Sequence, residues 1–150
     1  MLNTWPVVER IIGAEQMRRY ADISTARNKY KISDASLRAR IAEDEQRKLF
    51  LEAEFLEPEF EALERHVVTA AKQGNYDVEA MVFPAAYCTD GGRAINNGEK
   101  TWPDSLQGRA RSFYAVWQIC GQPNGYRLKA KIRDYPGGFL GHVSLVVDWS

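Results

Sequence analysis

Two stretches decide the fold: Tyr126-Arg127-Leu128-Lys129-Ala130-Lys131-Ile132-Arg133 and His142-Val143-Ser144-Leu145-Val146-Val147-Asp148-Trp149. In the first, Tyr126, Leu128, Ala130 and Ile132 alternate with four basic residues. A period of two marks a strand with one buried face, here with a wholly basic outer face. In the second, Val143, Leu145, Val147 and Trp149 alternate with His142, Ser144, Val146 and Asp148. Asp134-Tyr135-Pro136-Gly137-Gly138 turns the chain between them, so an antiparallel hairpin is expected.

Upstream of this hairpin, Leu106, Ala110, Phe113, Trp117 and Cys120 recur at helical spacing, and Gly121 stops the helix. Thr101 reads as its cap, with Pro103 and Asp104 in the first turn. Cys120, on the apolar stripe, is assigned to the core. Further back, Tyr76 to Phe83 alternates again. Val78, Ala80 and Val82 share one face, Asp77, Glu79, Met81 and Phe83 the other, and Pro84 ends the strand. Residues 76–150 thus read as a β-α-β-β unit. A crossover of this kind makes its two strands parallel if they share a sheet. With the hairpin added, a small mixed three-stranded sheet is expected.

Residues 1–75 read as a helical arm of two or three helices, which makes the chain α+β. Asn3 or Thr4 can cap the first helix, with Pro6 in its first turn. Val7, Ile11, Ala14 and Ala21 form a thin stripe that needs a partner to bury it. A break is expected near Ile32, with Ser33 and Asp34 starting a second helix. Another helix or a kink should begin near Glu57, where Pro58 and flanking carboxylates suit a first turn, and Gly74 should close it.

The length of 150 residues fits one domain better than two. Hydrophobic residues at 45% and charged residues at 27% exclude wholesale disorder, collagen and a repeat fibre. Twenty basic residues balance twenty acidic ones, which argues against a protein built to coat nucleic acid. The two cysteines do not make a disulfide framework and are expected to be reduced. Met1 to Arg10 lacks the pattern of a secretory signal, and no apolar run approaches the roughly 20 residues of a membrane helix. A cytoplasmic protein that does not engage membrane is therefore expected.

Charge is segregated within the arm. From Glu9 to Arg40, eight basic residues face four acidic ones; from Glu43 to Glu64, nine acidic residues face two basic ones. A basic arm seeking an anionic partner is one reading. The preferred one has the two segments neutralising each other, in one chain or across a dimer. The sparse apolar faces point to homo-oligomerisation or partner contact through these helices.

Chain direction then locates a candidate site. The loop 87–100 leaves the first strand, the turn 134–138 leaves the second, and His142 starts the last; all three are expected at one end of the sheet. The expected ligand is small and polar or anionic, or else a protein partner. Candidate contacts are Tyr87, Asp90, Gly91, Gly92, Arg93, Asn96, Asn97, Asp134, Tyr135, Gly137 and Gly138. Arginine can hold an anionic group, asparagine amides can donate, and glycines permit close backbone approach. A helix N-terminus at Thr101 would add to this end.

Two alternatives belong to other classes. Cys88 with His142 and Asp90 (or Asp134) has the residue types of a cysteine-dependent hydrolase or transferase. Arg127, Lys129, Lys131 and Arg133 could track nucleic acid phosphates, although the acidic stretch Glu43 to Glu64 could cover them instead, and nucleic acid is not the expected partner. No CxxC, HxxxH, phosphate-binding or dinucleotide motif occurs, so neither metal nor cofactor is expected.

Overall fold

A computed structural model describes residues 13–150. The expected cap at Asn3 or Thr4 and the stripe residues Val7 and Ile11 lie outside the described residues. The first helix, α1, runs unbroken from Ala14 to Glu52. The break expected near Ile32 does not occur. No proline or glycine falls between Gly13 and Pro58. Serine and aspartate inside a helix cost only a few tenths of a kcal/mol, about what an i,i+4 ion pair returns. Asp34 makes such a pair with Arg38 at 3.1 Å, and Glu15 makes one with Arg19 at 2.9 Å.

The chain divides into two compact units, Met1–Glu45 and Gln46–Ser150. The end of α1 belongs with the sheet because its apolar residues pack there. The Phe50 ring lies 5.1 Å from Phe83 and 4.9 Å from Tyr87. Helix α2 follows over Glu57–Lys72, as the sequence suggests, with Pro58 in its first turn. Glu59 reaches back to accept the Leu56 N–H at 2.9 Å, occupying an amide that the helix start leaves free. Lys72 sits in the last turn, and Gly74 follows with φ +87°.

Strand β1 spans Asp77–Pro84 and contains a bulge. Glu79 pairs with Val146 and Met81 with Leu145, so Ala80 has no partner across the ladder. The extra residue switches which face points inward. Val78 and Ala80 pack on the core before the bulge, whereas Met81 and Phe83 are buried after it. The expected partition, with Val78, Ala80 and Val82 on one face and Met81 and Phe83 on the other, is corrected accordingly.

The next segment is a chain of short helical turns rather than an open loop. They comprise Ala85–Tyr87, the one-turn helix α3 (Arg93–Asn96) and Trp102–Ser105. Helix α4 covers Gly108–Cys120, so it does not begin at Thr101. Leu106 and Gln107 are extended, which separates the turn from the helix. Burial of Leu106 and a 3.0 Å hydrogen bond from Gln107 Nε2 to the Tyr87 carbonyl hold them so. Gly108 then has φ +55°, and a Cβ there would collide with the Phe50 carbonyl oxygen and the Leu51 backbone. Only glycine lets α4 start this close to the end of α1.

Strands β2 (Arg127–Ile132) and β3 (His142–Asp148) form the hairpin. The sheet order is β1-β3-β2, with both pairings antiparallel. The sheet is therefore not mixed. β3 lies between β1 and β2, which run the same way without touching. Composition explains the order. β3 carries Val143, Leu145, Val146 and Val147 and is buried along nearly its whole length, as a central strand must be. β2 alternates lysine and arginine with apolar residues, a pattern that suits an edge. The core beneath the sheet centres on Phe113, Val143 and Leu145, with Phe55 set edge-on to Phe113 at 5.0 Å. Among the described residues no helix is long and apolar enough to cross a membrane.

Candidate functional site

One end of the sheet gathers the loops that the sequence singles out. Pro84, at the end of β1, pairs with His142 at the start of β3. The Arg133 N–H, just past β2, donates to the His142 carbonyl at 2.7 Å. The Ala85 N–H donates to the Gly141 carbonyl at 2.8 Å. The two loops touch through their side chains, where the Tyr135 hydroxyl donates to Asn96 Oδ1 at 2.9 Å. This shared rim needs only that β1 and β2 run the same way, so it survives the change in sheet pairing. The expected helix N-terminus at Thr101 is not part of it, since α4 begins at Gly108.

Most polar candidates at the rim hold the rim together. Asp90 accepts the N–H groups of Gly92 and Ala94, both at 2.9 Å. Gly91 and Gly92 have φ +69° and +89°. Gly92 is buried, and a Cβ there would stand 3.0 Å from the Ala85 Cβ. Asp134 accepts the His142 N–H at 2.6 Å and faces His142 Nδ1 at 3.2 Å. The backbone hydrogen bond from His142, aided by the nearby imidazole and Arg133, holds the Asp134 carboxyl below its ordinary range. Tyr87 is half-buried against Phe50. Arg93 and Asn97 are exposed, and Arg93 makes no ion pair among the described residues.

The turn 134–138 is shaped by Gly137 at φ +61° and Gly138 at φ +83°. It projects two aromatic residues: Tyr135 is 55% exposed and Phe139 78%. The sequence reading includes Tyr135 and misses Phe139. A large apolar residue directly after a diglycine in a polar turn was the available signal.

Cys88 is buried in the core, and its environment opposes a thiolate. Burial, with a smaller contribution from the Asp90 charge, pushes its thiol up to about 11 against a partly opposing Ser105 hydrogen bond. A nucleophilic cysteine needs the opposite shift. His142 engages Asp134, while the polar neighbour of Cys88 is Ser105. Among the described residues no cluster of histidine, cysteine and carboxylates could hold a metal ion.

The basic face of β2 is partly neutralised within the sheet. Lys129 and Arg127 both pair with Asp148, the latter at 3.6 Å. Arg133 lies 3.7 Å from Glu79, which also accepts the Ser144 hydroxyl at 2.7 Å. Lys129 and the Ser150 hydrogen bonds hold the Asp148 carboxyl well below the usual carboxylate range. Acids from β3 and β1 thus fill the role that the sequence reading offers to Glu43–Glu64. Lys131 alone of the four makes no ion pair among the described residues.

A second feature escapes the sequence reading. An open trough of about 1040 Å³ runs between α2 and α4, walled by Phe60, Leu63, Val67, Phe113 and Trp117. Cys120 lines it and is partly exposed rather than sealed in the core. Trp117 Nε1 is buried there without a hydrogen-bond partner. The paired apolar residues Val67-Val68 and Val116-Trp117 were the signal, since they widen both stripes beyond one core-facing row. Compared with protein-family models, curated proteins and solved structures, this chain matches none.

Proposed function

We propose that this protein is a binding module that docks a protein partner on the rim formed by loops 87–100 and 134–138, with α1 as an association arm. The observation that carries the reading is Phe139, 78% exposed on a turn whose neighbouring polar groups are tied down. A small polar ligand needs a concavity lined by free donors and acceptors. Here Asp90, Asn96 and Asp134 already have partners, and the large trough lies between α2 and α4 instead. An aromatic side chain held on a pre-ordered turn loses little entropy on docking and covers a large apolar area. Tyr135, exposed on the same turn and tied to loop 87–100 through Asn96, adds a second aromatic of the kind enriched in interaction hot spots.

The test is selection of binding peptides from a random displayed library on the full-length protein. Selected peptides should bind Phe139→Ala at least about tenfold more weakly, while circular dichroism of the variant stays unchanged. Peptides that bind Phe139→Ala as well as wild type would overturn the reading. So would stabilisation of the protein by a small anionic ligand that Arg93→Ala abolishes.

A further inference from the structure

We infer that α1 pairs side by side with α1 of a second copy in the antiparallel direction, centred near Tyr30. The inference rests on the reading of α1 as an association arm and adds its occupant and orientation. Positions 20, 23, 27, 30, 34, 37 and 41 alternate in steps of three and four, the spacing of a two-stranded helical seam. Five of them are apolar (Tyr20, Ile23, Tyr30, Leu37 and Ile41), and these are between 49% and 76% exposed. No residue of α1 is buried, so the seam has no cover among the described residues.

The two exceptions on the seam decide the direction. Arg27 and Asp34 carry opposite charge and stand one heptad apart. A parallel pair would set Arg27 against Arg27 and Asp34 against Asp34 in the seam. An antiparallel pair centred near Tyr30 sets Arg27 beside Asp34 of the second copy, twice by symmetry. The ends agree: Tyr20 then comes alongside Ile41 of the second copy, so that the apolar positions meet at both ends of the seam. Two like-charge meetings remain, Lys31 with its mate and Arg19 with Arg40 of the second copy. All are long side chains at flanking positions and can reach solvent. Burial of the apolar seam supplies the driving force, and the charges select the direction.

The experiment uses the full chain with Cys120→Ser, so that only introduced cysteines react. Sedimentation equilibrium should show a dimer, with Leu37→Glu raising its dissociation constant at least tenfold. Ser24→Cys and Arg38→Cys, each flanking the seam, are then treated with a short bismaleimide, alone and mixed. The antiparallel pair predicts cross-links in the mixture and few in either variant alone, because identical positions lie about 20 Å apart along the axis. Cross-links in each variant alone would mean a parallel dimer, which overturns the inference but leaves α1 as an association arm. A monomer at all concentrations would overturn the association arm as well, while the docking role of Phe139 would stand or fall by its own peptide test.

Discussion

At the scale of single residues, the rim is a set of mutual restraints. Gly92 is one of them, combining a positive φ with a Cβ position that would stand 3.0 Å from the Ala85 Cβ. Gly92→Ala should lower stability by about 1–3 kcal/mol, read as a drop in the urea midpoint. An unchanged midpoint would mean that the loop is looser than the hydrogen bonds of Asp90 imply. Thiol chemistry gives a second expectation. Cys120, partly exposed, should react with iodoacetamide well before Cys88, whose raised pKa and burial both slow it. Fast labelling of Cys88 in the folded protein would revive a nucleophilic role. Asp148 gives a third. Its folded pKa is depressed, so its stabilising effect is full above the unfolded value of about 4 and lost as pH falls through the folded one. Asp148→Asn should therefore be less stable than wild type at pH 7 and lose less on acidification. Acid limbs of equal slope would contradict the pairing with Lys129. The residue types at the rim were legible in the sequence, but their engagement was not. Asn96 meets a hydroxyl 39 positions away, and Asp134 meets an amide 8 positions away across a turn. Contacts of that reach depend on how the loops fold back.

At the scale of elements, periodicity located most of them and misplaced some of their ends. β2, β3 and α2 follow the hydrophobic pattern closely: β2 alternates basic with apolar residues, β3 is an apolar run of strand length, and the ends of α2 are marked by Pro58 and Gly74. The pattern failed where a backbone irregularity intervened. At β1 the bulge at Ala80 inverts the alternation, and the string Val78 to Phe83 reads equally well on either face. At α4 the helical spacing of Leu106 continues into the helix, yet extended Gln107 lies between them. In α1 Ser33 and Asp34 resemble a cap, but nothing there obliges the helix to stop. Sheet order was the other gap, because alternation gives a strand's faces and not its neighbours. The bulge has a direct test. Deleting Ala80 restores strict alternation, with Val78, Met81 and Phe83 all inward, so the chain should still fold. Its loss of stability should be smaller than the roughly 3–5 kcal/mol of Phe83→Ala, which empties a buried aromatic site. If the deletion costs more than Phe83→Ala, the inversion has a structural purpose beyond register.

At the scale of the whole molecule, the core comes, among the described residues, entirely from those after Glu45. Its earliest members are Phe50 and Phe55, and its remaining aromatic and aliphatic residues come from α2, the sheet, α4 and the turns between them. Helix α1 up to Glu45 contributes no buried residue. Exposed helical residues add little to the stability of a domain whose apolar surface is already covered. A fragment of residues 46–150 should therefore fold alone, with a single cooperative urea transition and a midpoint close to that of the full chain measured under monomeric conditions. A fragment begun at residue 57 should not. It lacks Phe50, packed on Phe83 and Tyr87, and Phe55, whose ring meets Phe113 and whose N–H donates to Ser112 Oγ at 2.8 Å. Truncating one such aromatic to alanine costs about 3–5 kcal/mol, and losing both approaches the whole stability of a small domain. Dispersed amide resonances for the shorter fragment would show that the end of α1 only decorates the sheet domain. A collapsed spectrum for the longer one would move part of the folding determinant into residues before Gln46. The first outcome contradicts the division at Glu45 from one side, the second from the other.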